Sequence, residues 1–253
     1  MPAPLIAFII FALMLSGIAV GTYLRLVLPD DHTQADSKDI LMTVAGAMGM
    51  LIALIIGLLV TSAKGNYDDT TASITKSGAN TITLDYYLSR YGPEAKEVRE
   101  LLPPSVASAI KRIWPNESTH GADLAKMEAS SDMTNVYDKI RELLPKNEAQ
   151  KYLQTQALEI VANMMQSRWM VIEQSQTNLP RAFLVILTFW LTVLFTQFGL
   201  LAPRNLTALS ALFICALSMS GAIFLILELN HPLEGTIKVS SAPLHKALSL
   251  IGK

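Results

Sequence analysis

The sequence predicts an all-α membrane protein: four transmembrane helices, two N-terminal and two C-terminal, flanking a helical insert. Three observations carry this reading. Apolar residues make up 51% of the 253-residue chain, and the mean hydropathy is +0.37, too apolar for an ordinary soluble domain. The excess is gathered into four long runs, Leu5 to Leu28, Ile40 to Ala63, Arg181 to Ala202 and Leu206 to Leu229, each long enough to cross a bilayer as a helix. Between the second and third runs the chain turns abruptly polar, charged and amphipathic. The expected division is 1–63 for a first transmembrane hairpin, 64–178 for a helical domain, 179–229 for a second hairpin and 230–253 for a tail.

The first run lacks the basic start of a signal peptide. It continues past the small residues Ser16, Gly17, Ala19 and Gly21, which favours a retained span. Arg25 near its end can snorkel to the interface, and Pro29-Asp30 should stop it. Pro29 to Asp39 reads as a short acidic, solvated loop. Its His32 and neighbouring aspartates do not fix a coordination geometry, and Ser37 or Asp39 can cap the next helix.

The second run, ILMTVAGAMGMLIALIIGLLVTSA, carries no charge and many small residues. Gly46, Gly49, Ala53 and Gly57 share a sector of the helical wheel with Met50 and Thr61. In water each interior glycine costs about 1 kcal/mol relative to alanine. In lipid, small residues let another backbone approach. Two readings follow: a helix–helix packing face, or a helix that meets its symmetry mates around a pore.

Asn66 to Arg90 continues this helix into water, with Ile74, Ile82, Leu84 and Leu88 on a partial apolar face. Gly92-Pro93 breaks it. Pro93 to Trp114 is interrupted by Pro103-Pro104, which predicts two pieces rather than one straight helix. A turn is expected over Pro115 to Gly121 and a helix over Ala122 to Leu144. Glu148 to Asn178 is the longest soluble helix. Its stripe of Tyr152, Leu158, Val161, Met165, Trp169 and Ile172 reads as core or subunit-interface packing, and a kink is expected at Leu179-Pro180.

The third span holds Gln197, read as an interhelical hydrogen bond. The short Pro203-Arg204-Asn205 turn makes the third and fourth spans an antiparallel hairpin. Cys215, the single cysteine, reads as a small buried hydrophobe, and Glu228 should lie at the interface. In the tail, Ser240 or Ser241 can cap a short helix with Pro243 in its first turn and Leu244, Leu248 and Ile251 on one side.

Four spans put both termini and the helical domain on one side of the membrane. Lys64, Lys76, Arg168, Arg181, Lys238, Lys246 and Lys253 lie on that side, against Arg25, Lys38 and Arg204 on the other. The positive-inside rule then makes the helical domain cytoplasmic. A net charge of -1 argues against nucleic-acid binding. No phosphate loop, nucleotide fingerprint, HExxH or acid–base constellation is present, so the chain reads as a non-enzyme without cofactor or metal site.

The segments LLVTSAKGNYDD after the second span, FGLLAPRN at the third turn and FLILELNHPLEGTIKVSSAPL at the end of the fourth span resemble the bacterial bestrophin-like family. The resemblance covers nearly the whole chain, although His231 stands where the family usually has arginine. More distantly the chain is similar to bestrophins, pentameric ion channels with four transmembrane helices per subunit and a pore-lining second helix. That resemblance implies a homo-oligomeric, pentameric channel in a bacterial inner membrane, whose partners are the lipid bilayer, its own copies and small inorganic ions, with anions the class the resemblance suggests. It puts Gly46, Met50 and Leu54 at the constriction, with Gly57 and Thr61 further along the lining and Lys64, Asp68 and Asp69 at the cytoplasmic mouth. Calcium control is not implied, because only Glu228 and Glu234 are acidic after the fourth span. The alternative is a non-conducting scaffold or sensor whose helical domain binds a partner.

Overall fold

The computed structural model describes residues 2–28, 35–114, 132–176, 181–203, 205–233 and 235–252. The expectations for His32, Arg204, the Pro115 to Gly121 turn and the Leu179-Pro180 kink fall outside these. Among the described residues every regular element is helical: α1 Ala3–Val27, α2 Ala35–Tyr91, a 3-10 turn Pro93–Ala95, α3 Lys96–Ile113, α4 Asp132–Glu142, α5 Glu148–Gln176, α6 Arg181–Leu201, α7 Leu206–Leu229 and α8 Ala242–Leu250. Four of them, α1, α2, α6 and α7, are long and apolar enough to cross a membrane. The chain forms two compact units, 1–65 with 178–230 and 66–177 with 231–253.

In the first unit, Ile10, Met14 and Ile18 of α1 meet Ala45 and Ile52 of α2, Leu187, Leu191 and Phe195 of α6, and Ala216 and Ile223 of α7 in one apolar core. The closest approach is between α1 and α6. A Cβ on Gly17 would lie 2.8 Å from the Thr192 carbonyl oxygen, one on Gly21 would strike the Thr196 carbonyl, and one on Gly199 would strike the Ile18 carbonyl. Glycine is required here because backbone meets backbone. Ser220 adds a buried hydroxyl that donates to the Ala7 carbonyl at 2.8 Å, and Arg25 donates to the Ala202 carbonyl. Gln197 departs from expectation: its Oε1 is buried and accepts no hydrogen bond. Glu228, in the last turn of α7, is buried at 3% exposure.

In the second unit the core joins Ile74, Leu84 and Leu88 of α2, Val98, Leu102, Val106 and Ile110 of α3, Val136 and Ile140 of α4, Ala157 and Val161 of α5, and Leu233, Val239, Leu244 and Ile251 of the tail. Trp114 ties α3 to the tail, its Nε1 donating to the Val239 carbonyl at 2.9 Å. The tail helix α8 rests on α2 at Gly78, where a Cβ would lie 2.8 Å from the Pro243 carbonyl oxygen. The Ser240 hydroxyl accepts from the Ala242 amide at 3.2 Å, one residue before the Ser241 N-cap position.

Several local expectations give way to packing. α3 runs unbroken through Pro103 and Pro104. Val98, Leu102, Val106 and Ile110 recur every four residues and are all buried. Four such side chains at about 2 kcal/mol each outweigh two interior prolines at about 3 kcal/mol each. Ser37 and Asp39 do not cap α2, which has already begun at Ala35. On α5 the buried face is Ala157, Val161 and Met164, while Tyr152 and Trp169 are 62% and 56% exposed.

α2 holds 57 residues in one helix despite its glycines and many hydroxyls. The hydroxyls do not interrupt it. Thr61, Thr70, Thr71, Thr75, Ser77, Thr81 and Thr83 each donate to the carbonyl four residues earlier, so they do not compete for the ladder from non-helical conformations. Gly92, at φ 125°, then ends the run in a conformation that L side chains rarely adopt.

Candidate functional site

The site begins with the division of α2 into two sides. In the first unit one side faces the core: Ala45 and Ile52 are buried, and Met48, Ile55, Ile56 and Leu59 pack beside them. The opposite side carries Gly46, Met50, Leu54, Gly57 and Thr61, all exposed, as are Lys64, Asp68 and Asp69 further along the helix. Met50 and Leu54 are 78% and 61% exposed. A Cβ added to Gly46, Gly49 or Gly57 meets no described atom within 4 Å outside the backbone of its own helix. The structure therefore puts the five sequence-predicted lining residues on one side of one helix, with no described residue of this chain covering them.

This bareness sets α2 apart from its neighbours. Within the most apolar window of each span, 11% of α2 residues are buried, against 22% to 28% in α1, α6 and α7. The chain has two stripes of small residues with different uses. That on α1, Gly17 and Gly21, is filled by α6, and its four-residue spacing is a signal for close helix packing that the sequence reading left unused. That on α2 is open.

The site has little polar chemistry. Thr61 donates its hydroxyl proton to the Gly57 carbonyl at 2.9 Å, so it turns lone pairs and a methyl group outward. Among the described residues no group of three His, Cys, Asp or Glu side chains could hold a metal ion. The displaced titrations lie in the second unit and brace its helices. Arg99 binds Asp85 through two hydrogen bonds, Nε at 2.9 Å and the terminal nitrogen at 3.1 Å, and the bond to Asp85 raises the guanidinium pKa. Lys146 is raised by its hydrogen bond to Glu94, whose own pKa that bond lowers. Burial pushes the Tyr91 hydroxyl up; it is enclosed with no hydrogen-bond partner.

A helical chain with these spans, its second helix bare on one side, can now be compared with known proteins. The sequence profile of the bestrophin-like domain matches residues 10–244. The chain belongs to the bestrophin-like family. No curated protein matches it with significant similarity. Among solved structures, the bestrophin-like chain is similar to a bacterial bestrophin homologue from Klebsiella pneumoniae. A leucine-to-threonine variant of that protein superposes with a TM-score of 0.66 at 12% identity, covering 94% of this chain and 97% of the other. An isoleucine-to-threonine variant gives 0.67 at 13% identity, with 98% of each chain covered. At this identity the match establishes a shared bestrophin fold along essentially the whole bestrophin-like chain.

Proposed function

We propose that the chain is one subunit of a homo-oligomeric, pentameric ion channel in which α2 lines the pore. The observation that carries this is the bare side of α2. Met50 and Leu54 present large apolar side chains that no described residue of this chain covers, on the least buried of the four candidate spans. Around a symmetry axis, Met50 and Leu54 form two apolar rings that gate by dewetting. Gly46 adds a wide ring, and Gly57 and Thr61 continue the lining. Lys64, Asp68 and Asp69 form the mouth. Anions are the cargo suggested by the likeness to bestrophins. The span itself carries no charge, so selectivity rests on pore width and on the residues at the mouths.

The same reading assigns 1–63 and 179–229 to the bilayer as two hairpins, and 64–178 with the 230–253 tail to the cytoplasm, in a bacterial inner membrane with both termini inside. The basic residues flanking the spans support this orientation.

Cysteine accessibility in reconstituted bilayers tests the proposal. In a Cys215→Ala background, Met50→Cys, Leu54→Cys and Thr61→Cys should react with a charged thiol reagent, and reaction should block the current. Met50→Ala should raise conductance by widening the apolar ring. Intact oligomers that carry no current under any ionic condition would overturn the channel reading. They would favour a scaffold whose helical domain binds a partner.

A further inference from the structure

The second unit contains a cleft that the channel reading does not use. It holds about 130 Å³ between α2, α3, α4, α5 and the tail, and its wall is mostly carbon. Ile74, Val106 and Met164 are buried there, and Met133 and Met165 add two more thioethers, side chains that adapt readily to the shape of a guest.

The polar groups on the wall decide what charge a guest can carry. Ser77 and Thr81 of α2 and Ser105 of α3 line the cleft. Their hydroxyls donate to the carbonyls of Ser73, Ser77 and Leu101 at 2.9, 2.8 and 2.7 Å. Each proton is engaged within its own helix, so each oxygen has only lone pairs left to offer. Thr81 is 1% exposed, so bulk water does not reach it. Ser73 and Ser167 add hydroxyls that can turn either way. Arg112 and Arg168 also border the cleft, but both are held by other groups of the chain. Arg112, for one, donates to the Ser108 carbonyl and hydroxyl. An anion would therefore be set against the fixed lone pairs. A cation is no better placed, because no carboxylate lines the cleft among the described residues. Moving either charge out of water without a partner is expensive. A neutral molecule with one O–H or N–H avoids that cost and brings the proton that the three oxygens lack.

We propose that this cleft binds a small, neutral, apolar molecule carrying one hydrogen-bond donor, with its body among the methionines and its donor on the oxygens of Ser77, Thr81 and Ser105. Size limits the body, since a dry cavity of about 150 Å³ takes up benzene. A phenol or a short-chain alcohol fits this scale, whereas a whole phospholipid acyl chain exceeds it. The inference stands apart from the pore, because every residue it uses belongs to the second unit.

The test uses the full-length protein in nanodiscs, with binding read by fluorine NMR against empty nanodiscs. The probe is 4-fluorophenol. Its counterparts are 4-fluorotoluene, of similar size without the donor, 4-fluorobenzoate as anion and 4-fluorobenzylammonium as cation. The phenol should bind saturably at one site per chain, and each charged probe should bind at least about tenfold more weakly. The triple variant Ser77→Ala, Thr81→Val, Ser105→Ala, checked for an unchanged oligomer, removes the three oxygens and leaves their carbonyls in the helix ladder. It should weaken the phenol by about fivefold without weakening 4-fluorotoluene. Ala109→Phe, which fills the cleft, should abolish binding of both. Phenol uptake no greater than in empty nanodiscs, or a charged probe that binds as tightly as the phenol, would overturn the proposal. So would a triple variant that binds the phenol as before, or one that weakens the phenol and the toluene alike.

Discussion

The contrast between the two glycine stripes yields a measurable asymmetry. Consider Gly21→Ala on α1. The added methyl would strike the Thr196 carbonyl and would lie 2.8 Å from the Leu200 amide nitrogen. Neither is the tip of a flexible side chain, so α1 and α6 must separate by about an ångström to recover ordinary van der Waals distance. That opens the contacts of Met14 and Ile18 with Leu191 and Phe195, which share the core. Overpacking of this kind costs about 1–3 kcal/mol. Both helices are backbone-locked here, which places the expected loss near the upper end, about 2–3 kcal/mol. Gly46→Ala and Gly57→Ala meet no described atom outside their own helix. They should stay within about 0.5 kcal/mol of the parent, as surface changes do. Steric-trap unfolding in bicelles, with the three variants side by side, reads the difference. Gly21→Ala as stable as the parent would refute the packing argument. A loss of 2 kcal/mol at Gly57 would show that the open side of α2 is tightly covered in the assembly.

Three further contacts have measurable consequences. Arg99→Met leaves Asp85, 8% exposed, without its two-pronged partner, and should destabilise the second unit by about 2 kcal/mol in chemical unfolding; full stability would show that water replaces the guanidinium. Ser220→Ala removes the bond to the Ala7 carbonyl and should cost about 0.6 kcal/mol by the same bicelle assay. Glu94 is held below the ordinary carboxylate pKa by the hydrogen bond from Lys146. A lowered folded-state value means the stabilisation is present above the unfolded pKa and is lost as pH falls through the folded one. An NMR titration should therefore place its midpoint below that of Glu94 in the Lys146→Gln variant, and equal midpoints would sink the assignment.

The four long apolar helices were legible because length and uninterrupted apolarity are enough to identify them, and α7 begins and ends at the residues the hydropathy pattern picks out, Leu206 and Leu229. The continuity of α2 was legible from the absence of any breaker before Gly92. The uses of the two glycine stripes were not. Gly17-Gly21 and Gly46-Gly49-Gly57 look alike in sequence, because a missing side chain records only that something can come close. What comes close depends on how the helices are arranged. Pro103-Pro104 misled for a related reason: backbone propensity is local, whereas the four buried aliphatics of α3 share a core with α2, α4, α5 and the tail. Tyr152 and Trp169 show the limit of periodicity, which finds a stripe but not its orientation when the helix has apolar residues on several sides.

The hydroxyls along α2 bear on what the proposed pore would discriminate. Each threonine on that helix with a described hydroxyl bond donates its proton to a carbonyl four residues back. In the proposed channel, an ion moving past Gly46, Met50, Leu54 and Thr61 would meet methyl groups, thioethers and a few oxygen lone pairs, with no fixed charge and no free proton donor. Such a wall gives almost nothing back for a lost hydration shell. The order in which ions of one charge permeate should then follow how readily each sheds water: large, weakly hydrated ions first, and small, strongly hydrated ones last.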